Sequence, residues 1–98
     1  MNIVKDCKET VFTLKVCGRL DTTTAPALEA AVSENIAACE QLILDFAELE
    51  YISSAGLRVI LKAQKAMAAK GGMKILHVNE TIMEIFEITG FSDILTIE

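Results

Sequence analysis

The 98-residue chain is 52% hydrophobic and carries a formal net charge of −5, a size and composition suited to one domain that buries about two-thirds of its unfolded surface. The acidic balance disfavours direct nucleic-acid contact, which needs a basic face to neutralise phosphates, and no apolar run approaches the ~20 residues of a membrane span. Residues 1–8 hold no basic region followed by an apolar stretch, so the expected location is the cytoplasm.

The first predicted element is a hairpin. Residues 10–17 (TVFTLKVC) alternate, with Phe12, Leu14 and Val16 on one face and Val11, Thr13, Lys15 and Cys17 on the other; residues 2–5 supply the partner strand and the polar residues 6–9 the link. After Gly18, a polar segment leads to Thr24 and Pro26, a helix-start signal, and Leu28, Ala31, Val32 and Ile36 follow the helical period. Leu42, Ile43 and Leu44 then fit a strand buried on both faces. A second helix spans about residues 54–70, with Leu57, Ile60 and Leu61 at helical spacing, and stops at Gly71 and Gly72. A strand over 73–78 follows. Asn79 caps a third helix with Ile82, Ile85, Phe86 and Thr89 on one stripe, Gly90 ends it, and residues 94–97 form a last strand. The order ββαβαβαβ predicts a single α/β domain over residues 1–98, with a mixed, mostly parallel sheet, an antiparallel edge hairpin and three to four helices.

The most informative stretch is LILDFAELEYISSAGLRVIL, residues 42–61, which places Ser53 and Ser54 where a strand gives way to a helix. The first N–H groups of a helix lack intrahelical partners and sit at the positive end of its dipole, so a hydroxyl there can cap the helix and a phosphate would be tolerated. One helix start needs one capping hydroxyl, and the other serine is then left over. Ala55 and Gly56 keep the corner low, and a glycine inside a helix suggests close approach by another chain. In α/β sheets reactive groups gather where strands end and helices begin, which puts Asp21 near the same end of the sheet. Asp21 either orients the serine hydroxyl or forms a turn with Thr22.

Arg58, Lys62 and Lys65 form a basic stripe leading from this corner, a face that would steer acidic partners. Catalysis is not expected: G-x-S-x-G and P-loop motifs are absent, and the single histidine, His77, falls in a strand-like run where packing is the expected role. Cys7, Cys17 and Cys39 are widely spaced with no C-x-x-C pair, so ordinary thiols are expected, with neither a metal site nor a cofactor.

The chain resembles the STAS domains and, within them, the bacterial anti-sigma factor antagonists, in GRLDTTTAP (18–26), LDFAELEYISSAGLRVIL (44–61) and EITGFSDILTI (87–97). The family motif reads aspartate, phosphate-accepting serine, second Ser or Thr, then Gly-Leu. Here Ser53 stands at the aspartate position, Ser54 at the acceptor, Ala55 at the second hydroxyl, and Gly56-Leu57 are retained, while Asp21 matches the acidic residue of the first loop. The resemblance implies binding to an anti-sigma factor with serine kinase activity, release on phosphorylation of Ser54 (Ser53 being the alternative acceptor) and restoration by a serine phosphatase. The phospho-site environment is then Asp21, Thr22, Ser53, Ala55 and Gly56, and the partner meets Ser54, Gly56, Leu57, Arg58, Lys62 and Lys65. Ser53 and Ala55 also suit a second expectation, an unphosphorylated STAS adaptor of a transporter or lipid-trafficking complex.

Overall fold

A computed structural model describes residues 2–98. The chain forms β1 (Asn2–Lys8), β2 (Val11–Leu20), α1 (Ala25–Asn35), β3 (Gln41–Asp45), β4 (Leu49–Ile52), α2 (Ser54–Met67), β5 (Met73–Leu76), α3 (Glu80–Thr89), a 3-10 turn (Phe91–Asp93) and β6 (Thr96–Ile97). The sheet order is β1-β2-β3-β5-β6, with β1 antiparallel to β2 and the other pairs parallel. This is the expected mixed α/β sheet with three helices.

The edge hairpin is tighter than its sequence suggests. The polar residues Asp6, Cys7 and Lys8 continue β1 rather than forming a link, and the loop shrinks to Glu9 and Thr10, with Glu9 left-handed at φ 57°. Polar side chains suit an exposed edge strand, where they discourage pairing with other chains.

β2 is paired along its whole length. Its residues 11–15 pair with β3, and beyond Cys17 the strand pairs instead with β4, a strand absent from the expected order ββαβαβαβ. β4 is hard to read because Leu49 and Ile52 are both buried although three residues apart. The register explains it: one step on β2, from Gly18 to Arg19, spans two on β4, from Leu49 to Tyr51, so Glu50 bulges and the alternation slips by one.

The core lies against one face of the sheet. Phe12, Leu14, Val16, Leu42, Leu44, Met73 and Ile75 share that face with Leu28, Val32, Ile60, Met67, Ile82 and Phe86 of the helices. The opposite face carries Thr13, Lys15, Ile43, Asp45, Lys74 and Leu76, none of them fully buried, so β3 is buried on one face and not two. Among the described residues no polar or charged residue is buried.

The helix boundaries follow local chemistry. Asn79 accepts a hydrogen bond from the Ile82 N–H at 2.9 Å, and Gly90 (φ 81°) ends α3 in the left-handed conformation. Thr89, expected on the buried stripe, is exposed and bonds back to the Ile85 carbonyl at 2.7 Å. α2 ends at Met67, three residues early, and the chain turns through Gly71, whose N–H meets the Glu40 carbonyl at 2.6 Å.

Candidate functional site

The corner between β4 and α2 is tied to the sheet from below. The Ser53 N–H donates to the Leu20 carbonyl at 2.8 Å, which fixes the chain at the end of β2, and the Leu57 N–H returns to the Ser53 carbonyl at 2.9 Å. Ser53 is extended (φ −97°, ψ 175°), and its Oγ accepts from the Gly56 N–H at 3.4 Å. It is therefore the N-cap of α2. Ser54 is the first helical residue, is exposed, and its hydroxyl engages no protein hydrogen bond among the described residues.

Gly56 is buried, and the close approach it permits is internal. A β-carbon there would lie 2.7 Å from Leu20 Cγ and 2.9 Å from Ile52 Cγ1. The glycine lets the first turn of α2 sit on the ends of β2 and β4, which corrects the expectation that it admits another chain. Leu57 is buried beside it at 8% exposure, so these two residues shape the corner from beneath. Its surface is Ser54, half-buried Ala55 and exposed Arg58, Lys62 and Lys65.

Asp21 is engaged within its own loop. Its Oδ1 accepts from the Thr23 hydroxyl (2.7 Å) and N–H (3.0 Å) and from the Thr24 N–H (3.2 Å), while Oδ2 lies 3.9 Å from Arg19 Nε. These bonds, the Thr23 hydroxyl foremost, hold the carboxyl below the usual carboxylate range. Asp21 thus builds the β2–α1 turn and has no bond to Ser54. Thr24 occupies the N-cap position of α1 without capping it, because its hydroxyl donates to the Arg19 carbonyl at 2.8 Å and accepts from the Asp21 N–H at 2.8 Å. Exposed Thr22 faces Ala55 and Arg58 across a shallow cleft of about 220 Å³, floored by Ala25 and Val59.

The basic stripe divides in two. Lys62 Nζ is 2.6 Å from Glu29 Oε1 of α1 and closes one side of the cleft, whereas Arg58 and Lys65 enter no salt bridge among the described residues. Under Lys62 a second, apolar groove of about 190 Å³ runs between α1 and α2 past Val32, Ile36, Val59, Ala63 and Ala66.

Sequence reasoning missed Arg19 and Tyr51, which pair across β2 and β4 beside the corner with the guanidinium 4.5 Å from the ring centroid. It also misplaced His77. The residue leaves β5 with a left-handed φ of 61°, its side chain is 63% exposed, and Nδ1 lies 2.9 Å from Asp45 Oδ1. Burial tends to raise the Asp45 carboxyl, but the His77 bond and the Ala47 N–H outweigh it and hold Asp45 low. Cys7 is exposed, Cys39 buried, and Cys17 bonds to Glu48 Oε2 at 3.3 Å, a contact that pushes its thiol up and away from the reactive thiolate.

The STAS domain family model matches residues 2–98. The chain is 34% identical over 89 residues to the anti-sigma-B factor antagonist of Listeria monocytogenes, covering 85% of this chain and 75% of that protein. In structure it is similar to an anti-sigma factor antagonist from Mycobacterium paratuberculosis, with a TM-score of 0.89 over 98% of this chain and 83% of that one at 22% identity. It is also similar to the anti-sigma factor antagonist SpoIIAA of Bacillus at 19% identity over 99% of this chain. The TM-score is 0.85 for the unphosphorylated form, over 88% of that chain, and 0.78 for the phosphorylated form, over 91%. From its edge hairpin to its last short strand, the chain belongs to the STAS domain family.

Proposed function

We propose that this protein is an anti-sigma factor antagonist, a cytoplasmic regulatory binding protein rather than an enzyme, switched by phosphate on Ser54. In the unphosphorylated state it binds an anti-sigma factor with serine kinase activity and so frees a sigma factor for transcription. The kinase transfers the γ-phosphoryl group of ATP to Ser54 Oγ; the O–P bond forms, ADP leaves and the hydroxyl proton passes to a base. A serine phosphatase reverses the step by hydrolysis.

The observation that carries this reading is the division of labour between the two serines. Ser53 caps α2, and Ser54, one residue on, presents a free hydroxyl at the surface of the same turn. The names of the similar antagonists, and the existence of SpoIIAA in both phosphorylated and unphosphorylated forms, support it. A phosphate adds nearly two negative charges that a close interface would have to desolvate. If that costs about 2–5 kcal/mol, affinity falls roughly 30-fold to a few thousand-fold.

The test is incubation with candidate anti-sigma kinases and ATP, followed by mass spectrometry and binding measurements. A single phosphate on Ser54, weakened binding for Ser54→Asp by about 30-fold or more and preserved binding for Ser54→Ala are expected. Equal affinities for the two variants would remove the charge mechanism. Capture of transporter subunits with no kinase would instead favour the adaptor role, which Ser53 and Ala55 at the aspartate and second hydroxyl positions also suit.

A further inference from the structure

We propose that Arg58 is the internal counter-ion of a phosphate on Ser54, so that modification adds charge to the corner and at the same time occupies the cation nearest to it. The inference rests on Ser54 as the modified residue. Residues 54 and 58 are one turn apart on α2, which sets their β-carbons about 5–6 Å apart on one face. A helical side chain leans toward the helix N-terminus and covers the turn before its own Cα, so the turn that carries Ser54 is within reach of the Arg58 guanidinium.

Among the described residues no acidic group holds Arg58, whereas Lys62, the next cation on the stripe, is held by Glu29 at 2.6 Å. Lys65 is seven residues further along the helix, roughly 10 Å of rise. The first turn of α2 contains no acidic residue, Ser53 contributes a neutral hydroxyl, and the Asp21 carboxylate is taken up by Thr23 and Thr24. On its own helix a phosphate here meets one unpaired cation and no carboxylate in its own turn, while Arg19 across the corner is engaged by Asp21 and the Tyr51 ring. The planar guanidinium can take two phosphate oxygens at once, which an ammonium cannot match. In the unmodified protein the same guanidinium projects from the cleft lined by Thr22 and Ala55 and is free for an acidic group of a partner. Phosphorylation withdraws it.

The decisive measurement uses the full chain with phosphoserine installed at position 54 by genetic-code expansion, and follows the phosphate by ³¹P NMR as pH is varied. Free phosphoserine loses its second proton near pH 6. The expected midpoint lies below that value. Arg58→Gln raises the midpoint by about 0.3 in pH or more, Arg58→Lys gives a smaller rise, and Lys65→Gln leaves it unchanged. Coincident titrations for the Arg58→Gln and parent proteins overturn the proposal. Arg58 is exposed, so folding of the variant is checked simply by an unchanged circular dichroism spectrum. Because no kinase is needed to place the phosphate, failure of this titration bears on Arg58 alone, while failure of the kinase assay bears on the modification of Ser54.

Discussion

At position 56 a single methyl group has no room. The β-carbon of an alanine would meet Leu20 Cγ at 2.7 Å and Ile52 Cγ1 at 2.9 Å, both on buried side chains at the strand ends. An exposed helix position gains roughly 0.5–1 kcal/mol when glycine becomes alanine, but overpacking a core costs about 1–3 kcal/mol. The clash wins. Gly56→Ala is expected to lower stability by about 1–2 kcal/mol, read as a fall in the urea midpoint at unchanged slope, and an unchanged or raised midpoint would mean that α2 lifts off the sheet at little cost. The sequence shows a glycine in a helix but does not show what lies beneath it. That is why the same residue suggested a visiting chain when Leu20 and Ile52 were the neighbours.

The β2–α1 loop works as an element in its own right. Asp21 gathers the Thr23 and Thr24 donors, and Thr24 ties the loop back to the Arg19 carbonyl, so four residues of polar sequence become a fixed support beside the corner. Hydrogen bonds from Thr23 and Thr24 hold the Asp21 carboxyl below its ordinary range, and a depressed carboxyl stabilises the fold fully above its unfolded value of about 3.9. That contribution is lost as pH falls through the folded value. Asp45, held low by His77 and Ala47, acts in the same direction. Asp21→Asn, which keeps an acceptor oxygen but cannot titrate, is expected to flatten the acid limb of stability. Urea midpoints measured from pH 7 down to about pH 3 would show it, and parallel acid limbs for the two proteins would count against the role given to Asp21.

Over the whole molecule, a net charge of −5 surrounds a short basic strip that begins at the Ser54 corner. Such a distribution orients an approaching acidic surface more than it holds one. The association rate with the partner is therefore expected to fall as salt is raised from about 0.01 M to about 1 M, which shortens the screening length from roughly 30 Å to 3 Å. Lys65→Glu is expected to slow association several-fold with little change in dissociation, and stopped-flow measurement of both rates decides it; an association rate indifferent to salt would rule out steering.

Much of this architecture was legible in periodicity and punctuation. Leu28, Ala31 and Val32 marked α1, and Asn79 and Gly90 bracketed α3 where the structure places them. What stayed hidden depended on contacts distant in sequence. The bulge at Glu50 disguised β4, the apolar run Leu42-Ile43-Leu44 gave no sign that one sheet face lies open, and the strand-like run ending in His77 gave no sign of the left-handed turn that brings its ring to Asp45. At the corner, a capping serine and a turn at Asp21 could be read as options from the residues, whereas the bonds that make Ser53 the cap and commit Asp21 to Thr23 and Thr24 could not.

The unbroken course of β2 has a consequence for motion. This strand pairs with β1, β3 and β4 in turn, and its last carbonyl, that of Leu20, receives the Ser53 N–H. Amides in such a strand exchange with solvent only when the surrounding core opens. Ser54 therefore sits one residue beyond an anchor on the end of β2, where residues 18–20 pair with β4. A phosphate placed there would alter what the surface displays at a position already fixed by backbone hydrogen bonds rather than carried on a loose loop.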